Sequence, residues 1–388
     1  MLMKSLNRRK FLADSAKVAA GLGIAPMILD KRLAYLPSPE ENAPQALEYR
    51  TLGKTGLKVT AISFGAMITR EASVLHRALD LGINYVDTAR YYQNGNNEVM
   101  VGGVLKNRRK DVILATKILP GLNTETLIMQ SFEKSLKALG TDYVDIIQLH
   151  AIQAVSQIQH EETLATLQKI KKEGKARFIG FTTHQNEIAL LEAAAPMNVF
   201  DTILIAYNFT KPDLEHYYKA IENASKAGIG LIAMKTQAGG YTEEAMGSLS
   251  PHQAALKWVL QNKYISNAIP SMTTFAQVEE NIKVMNASMG WQDRKTLHRY
   301  GQAIDKKLCR MCNACAGQCP QGVNLFDTNR ALMYHQGYGE MSLARQTWNT
   351  IPLAHRPDAC SSCKICVVKC PQGLNVRDKM REAVTLFA

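Results

Sequence analysis

All eight cysteines of the chain lie between Cys309 and Cys370, in two runs of one pattern. The first is C-x2-C-x2-C-x3-C-P at Cys309, Cys312, Cys315, Cys319 and Pro320. The second repeats it at Cys360, Cys363, Cys366, Cys370 and Pro371. Thiolates are soft ligands, and this run holds cubane iron–sulfur clusters, the fourth cysteine of each run typically ligating the other cluster. The expected sets are Cys309, Cys312, Cys315 with Cys370, and Cys360, Cys363, Cys366 with Cys319. Structural zinc favours paired C-x2-C knuckles instead of three even steps followed by Cys-Pro. A disulfide framework is out of place in a chain of 388 residues, long enough to bury an ordinary core.

That length leaves room for two or three domains, and the content, 46% hydrophobic and 21% charged, is that of a globular protein. The net charge of +12 is scattered. Its densest internal cluster, Arg108, Arg109 and Lys110, has no aromatic-interleaved stripe beside it, so no nucleic-acid role is expected. The basic surface suits anionic substrates or partners, or is solvated charge.

Residues 1–35 read as an address. Ser5 to Leu12, with Arg8 and Arg9, resembles the twin-arginine export motif. The following run to Leu29 carries Asp14, Ser15 and Lys17, too polar for a membrane span, so no integral membrane protein is expected. Such signals are receptor-read and not anchors. The expectation is a periplasmic or extracytoplasmic protein that meets the twin-arginine translocon already folded; a plain cytoplasmic protein with a basic amphipathic start is the alternative. Residues 36–46, rich in proline, read as a linker.

From Tyr49 onwards short apolar runs alternate with helical segments. Tyr49–Lys58, with two glycines, suggests a small hairpin. Strand candidates follow at Val59–Met67, Asn84–Ala89, Val112–Lys117, Tyr143–His150, Ala176–His184, Thr202–Asn208, Gly230–Lys235 and Asn267–Met272. Helical stretches such as Thr124–Leu139 and Asp213–Ala227 separate them. This alternation fits an α/β barrel of eight parallel strands over 47–290. A doubly wound sheet is the alternative, but no G-x-G-x-x-G follows an early strand. Barrel enzymes place chemistry at the carboxyl ends of strands. Here those ends carry Asp87, Lys117 and His150, with Tyr92 in the loop after Asp87. A lysine closing an apolar strand needs a partner, and Asp87 is the natural one.

These residues resemble the aldo-keto reductase family. The resemblance runs from Tyr49 to Asn281 and rests on Arg50-Thr-Leu-Gly-x-Thr-Gly-Leu-x-Val59, Asp87-Thr-Ala-x-x-Tyr92 with Asn97-Glu98, Ala115-Thr-Lys117, Leu149-His150, Tyr207-Asn208 and Ile269-Pro-Ser near Glu280-Asn281. It implies a TIM barrel and a nicotinamide cofactor, NADP first and NAD close behind. It also implies a catalytic tetrad of Asp87, Tyr92, Lys117 and His150 acting on a small carbonyl or alcohol substrate. Tyr92 would be the general acid with its phenol pKa lowered by Lys117, Asp87 would hold Lys117, and a neutral His150 would orient the carbonyl. Nucleotide contacts are expected at Thr182, Thr183, Lys235, Ser271, Gln277 and Asn281. The chain departs from the family where Leu204 removes an amide partner, Met234 replaces the stacking tyrosine, and Ser271 and Gln277 replace phosphate-clamping Lys and Arg.

The 40 residues between Cys319 and Cys360 exceed a compact two-cluster ferredoxin. Asp327–Gln336 and Met341–Asn349 read as helices, so 291–388 is expected to be a small, mostly helical ferredoxin-like domain with two 4Fe-4S clusters. Pro320-Gln-Gly-Val-Asn324 and Pro371-Gln-Gly-Leu-Asn375 mark an internal duplication. Hydride carries two electrons and each cluster one, and no flavin motif is visible. The clusters therefore relay electrons with a redox partner protein or brace the tail. A non-catalytic electron-transfer protein using the barrel as a scaffold is the second reading.

Overall fold

The computed structural model describes residues 46–119, 121–238, 246–304 and 308–388. The expected export signal and nearly all of the linker lie outside the described residues.

The chain from Ala46 to Ala388 forms one compact unit. It opens with an antiparallel hairpin, β1 (Tyr49–Thr51) and β2 (Lys58–Thr60). Leu52 and Val59 are fully buried there and plug the amino-terminal end of the barrel. The turn passes so close to the next layer that a Cβ on Gly53, whose φ is +51°, would lie 2.3 Å from the Gly230 nitrogen. Only glycine fits such an approach.

Eight parallel strands follow: β3 (Phe64–Gly65), β4 (Tyr85–Asp87), β5 (Ile113–Ile118), β6 (Val144–Ile152), β7 (Ala176–Thr183), β8 (Thr202–Ala206), β9 (Gly230–Met234) and β10 (Ile265–Ala268). Parallel bridges Ile62–Ala268 and Gly65–Ser271 join the first strand to the last, closing the sheet. The expected first strand, Val59–Met67, is split. Its start pairs with β1 in the hairpin, and only Phe64–Gly65 enters the barrel.

Alternation along each strand divides the core in two. Val86, Leu114, Ile147, Leu149, Ile203, Ile205, Leu231 and Ala233 face the surrounding helices. Tyr85, Ala115, Ile146, Leu204, Ile232 and Met234 form the inner core. Two residues further along the same face, Tyr85 gives way to Asp87, Ala115 to Lys117 and Ile146 to Gln148, then His150. One parity rule therefore produces both an apolar floor and a polar mouth.

The helix Trp291–Ile304 begins at the expected domain boundary, yet its Leu297 packs on Ala254 and Ala255 of the barrel helix Pro251–Leu260. The tail proper comes after it. Its helices Leu325–Gln336, Met341–Asn349 and Val376–Phe387 enclose a core of Phe326, Leu332, Trp348 and Phe387. The duplication is structural. Gly322 and Gly373 turn at φ +67° and +74°. Asn324 and Asn375 then cap their helices by accepting from the Asp327 and Asp378 N–H groups at 3.0 and 3.3 Å. Among the described residues no helix is long and apolar enough to cross a membrane.

Candidate active site and cluster ligands

Asp87, Tyr92, Lys117 and His150 meet at the carboxyl-terminal mouth of the barrel. Lys117 and Asp87 form a fully buried ion pair, and Lys117 also donates to the Thr88 carbonyl at 2.7 Å. Gln148 donates to the other Asp87 oxygen at 3.1 Å. Burial pushes the Asp87 carboxyl up and the Lys117 ammonium down, and each charge opposes the shift of the other.

His150 sits where the β6–β7 register shifts, and the next residue, Ala151, has φ +56°. This kink, held by the Ala151 N–H donating to Thr182 Oγ1 at 2.9 Å, aims the imidazole into the mouth. Its ring stands edge-on to Tyr92 and Tyr91, with centroids 5.7 and 5.9 Å apart. Burial, with the charges of Lys117, Arg330 and Lys235, holds His150 well below the usual histidine range, so it is neutral as expected.

Tyr92 corrects one expectation. Burial, reinforced by Asp87 and Tyr334, raises its phenol well above the ordinary value. The Lys117 ammonium lies over the Tyr92 ring, 4.7 Å from its centroid, and is spent on Asp87 and Thr88. Its charge does not outweigh that burial, and the phenol stays raised.

Asp87 and Tyr92 open onto a cavity of about 290 Å³ that also takes in Gly65, Leu204, Met234, Lys235, Ser271, Gln277 and Asn281. Thr182 and Thr183 do not line it. Their hydroxyls are engaged with the Ala151 N–H and the Gln185 carbonyl. His184, one residue on, lines it instead.

The tail roofs this mouth. Gly337, Tyr338 and Glu340 complete the cavity wall. Tyr334 receives a hydrogen bond from Lys235 at 3.4 Å, and Gln346 and Tyr91 exchange hydrogen bonds at 2.9 and 3.3 Å. Arg70 pairs with Glu340 at 2.8 Å. None of these tail contacts was anticipated. Tyr334 falls in a segment legible only as a short helix, and a helical pattern does not say which neighbour its face meets. Gln148 was readable in principle, two residues before His150 on the same strand face.

The eight sulfurs are all free thiols. Burial, opposed by the Met311 N–H and reinforced by Cys315, Cys312 and Cys370, pushes the Cys309 thiol up to about 12. Burial likewise raises Cys360, with Cys319, Cys366 and Cys363 adding to it. In each case one of the contributing sulfurs, Cys370 or Cys319, comes from the other run. Among the described residues no three His, Cys, Asp or Glu side chains converge on a point suited to a single ion. The backbone around them is pinned: Arg381 donates to the Cys360 and Ser361 carbonyls at 3.0 and 3.1 Å.

A closed parallel barrel with a buried Lys–Asp pair, a tyrosine and a neutral histidine at its mouth defines an oxidoreductase of the TIM-barrel class. Residues 64–248 match the Aldo/keto reductase family, and 308–375 match a 4Fe-4S dicluster domain. L-galactose dehydrogenase of Arabidopsis thaliana is 33% identical over 299 residues, covering 65% of this chain and 92% of its own length. Methylglyoxal reductase of Escherichia coli O157:H7 is 30% identical over 237 residues, covering 58% and 85%. The holo form of an aldo-keto reductase from Bacillus halodurans shares the fold, with a TM-score of 0.57 at 24% identity over 66% of this chain and 96% of that one. The chain belongs to the aldo/keto reductase family. It is an NAD(P)-dependent oxidoreductase that carries a 4Fe-4S dicluster domain.

Proposed function

We propose that the protein catalyses reversible hydride transfer between a nicotinamide cofactor and a carbonyl or alcohol substrate, with Asp87, Tyr92, Lys117 and His150 as its catalytic residues. The observation that carries this reading is their convergence beside the cavity, with Lys117 and Asp87 paired and His150 neutral. When bound, the nicotinamide supplies or accepts the hydride. Ser271, Gln277, Asn281 and Met234 would hold it, with NADP the first choice. Tyr92, kept protonated by burial, is the form needed to give a proton to a developing alkoxide. Neutral His150 keeps an N–H to donate to the carbonyl oxygen. Lys117 keeps a positive charge beside the Tyr92 ring, offsetting the phenolate that forms once the proton has left, while Asp87 and Gln148 fix the lysine.

The cysteines fit two cubanes, Cys309, Cys312, Cys315 and Cys370 holding one and Cys360, Cys363, Cys366 and Cys319 the other. These supply one-electron chemistry toward a redox partner, or brace the tail over the barrel. Export of the folded, loaded protein through the twin-arginine translocon completes the proposal and is checked by cell fractionation. The catalytic reading is tested by aldehyde-dependent NADPH oxidation with anaerobically purified protein. Tyr92→Phe should lower kcat by about 10²–10⁴ while keeping nucleotide affinity. Full activity in that variant refutes the assignment.

A further inference from the structure

Lys235 stands just past β9 with a left-handed φ of +56°. Its ammonium is 3.4 Å from the Tyr334 hydroxyl and lies 4.5 and 4.9 Å from the ring centroids of Tyr334 and Tyr338, both from the tail. Among the described residues it forms no ion pair. Its cationic neighbours are matched: Lys117 by Asp87, Lys211 by Glu187 at 2.5 Å and Arg330 by Asp327 at 3.0 Å. Of the carboxylates lining the cavity, Asp87 and Glu340 are already paired, and Glu280 accepts from Ser250. Among the described residues, Lys235 is thus left without a carboxylate partner beneath the tail. Two aromatic faces and a phenol are a weaker match than a carboxylate for this half-buried ammonium.

Three further polar atoms here are buried without a partner: His150 Nδ1, His184 Nδ1 and Arg330 Nε. Lys235 is also close enough to the reacting groups that its charge acts on Lys117, His150 and His184. Lys235 lines the same cavity as Tyr92. With His184 and Tyr338 it also lines a second, smaller cavity of about 40 Å³ that leads toward Cys309.

We propose that Lys235, framed by Tyr334 and Tyr338 of the cluster domain, anchors a carboxylate on the substrate, so that the protein acts on small carbonyl or hydroxy compounds carrying that group. The inference rests on the hydride-transfer reading of the same site. It gives the tail a task in specificity whatever the clusters do, because two of the three side chains that build the anchor come from it.

The test uses full-length, cluster-loaded protein. Two probes of equal chain length, 4-oxobutanoate and butanal, are compared by kcat/KM. The corresponding alcohols, 4-hydroxybutanoate and butan-1-ol, are compared by calorimetric titration of the nucleotide-loaded protein. The wild type should prefer the carboxylate in both. Lys235→Met should cut that preference about 10- to 100-fold, the loss expected for one charge-assisted hydrogen bond, chiefly through KM. Iron content and the nucleotide Kd should stay within twofold. Tyr334→Phe, which keeps the ring and removes the hydroxyl, should shift the preference the same way by less and covers the case in which Lys235→Met loses iron. Equal handling of the two probes by the wild type overturns the inference. So does a Lys235→Met variant whose nucleotide affinity falls with its preference, since the lysine would then serve the nucleotide. Selective binding of 4-hydroxybutanoate without turnover of either aldehyde supports the anchor and counts against the proposed function.

Discussion

Replacing Lys117 by Met separates what the buried pair does for folding from what it does for turnover. Lys117 and Asp87 are each 1% exposed, so the variant leaves a carboxylate with no counter-charge in the barrel core. Breaking such a pair from one side costs about 3–5 kcal/mol. The Thr88 carbonyl also loses its 2.7 Å donor, worth about 1 kcal/mol. Removing the charge as well should recover most of that loss. In Asp87→Asn/Lys117→Met the Asn side-chain oxygen still accepts from Gln148, which now donates to Asp87 at 3.1 Å, and no ion is stranded. The double variant should therefore regain at least about 2 kcal/mol over the single one, although neither turns over substrate. Urea unfolding of cluster-loaded protein, followed by far-ultraviolet circular dichroism, measures this. A double variant as unstable as Lys117→Met, or a single variant within about 1 kcal/mol of wild type, would show that the pair is not a desolvated unit and refute the reasoning.

Three other outcomes follow. His150 and His184 are both held below the usual range chiefly by burial, so below the unfolded value of about 6.5 the unfolded chain binds protons that the folded chain does not. Stability should fall as the pH drops below that point, by up to about 1.4 kcal/mol per pH unit for each histidine, and His184→Gln should flatten the slope of unfolding free energy against pH. Cys319→Ser should remove about half the bound iron while disturbing the spectroscopic signature of the cluster built on Cys360, not the one built on Cys309; the reverse pattern would break the crossed ligand sets. In the helix Asn96–Leu105, Gly102→Ala should destabilise by about 1–3 kcal/mol, because the new Cβ would lie 2.5 Å from the Leu139 carbonyl oxygen. Gly103→Ala meets nothing within 4 Å and should stabilise by about 0.5–1 kcal/mol, both read by thermal unfolding.

The parts of the molecule that local pattern determines were legible in the sequence. Strand parity carried Asp87, Lys117 and His150 to one rim, and the repeated Pro-Gln-Gly segments became matching turns and helix caps. Even so, Val59–Met67 was read as a single strand, because nothing in its composition says that Lys58–Thr60 pairs backwards with Tyr49–Thr51. What the sequence hid is what depends on packing between distant segments. Tyr334, Tyr338 and Gln346 meet the barrel mouth only because the tail folds back over it, and no periodicity within Leu325–Gln336 reports that. The same holds for electrostatics: Lys117 lies beside the Tyr92 ring and looked able to lower its phenol, yet burial outweighs a lysine already paired with Asp87. Thr182, an expected nucleotide contact, also holds the Ala151 kink that aims His150.

The central claim is that hydrogen moves as hydride at the barrel mouth and does not pass as separate electrons through the clusters. Reduction of an aldehyde with nicotinamide deuterated at the transferred position of its ring tests this most directly, by mass analysis of the alcohol formed. The account predicts that the deuterium appears in full at the former carbonyl carbon. Product carrying hydrogen from water at that carbon would contradict it.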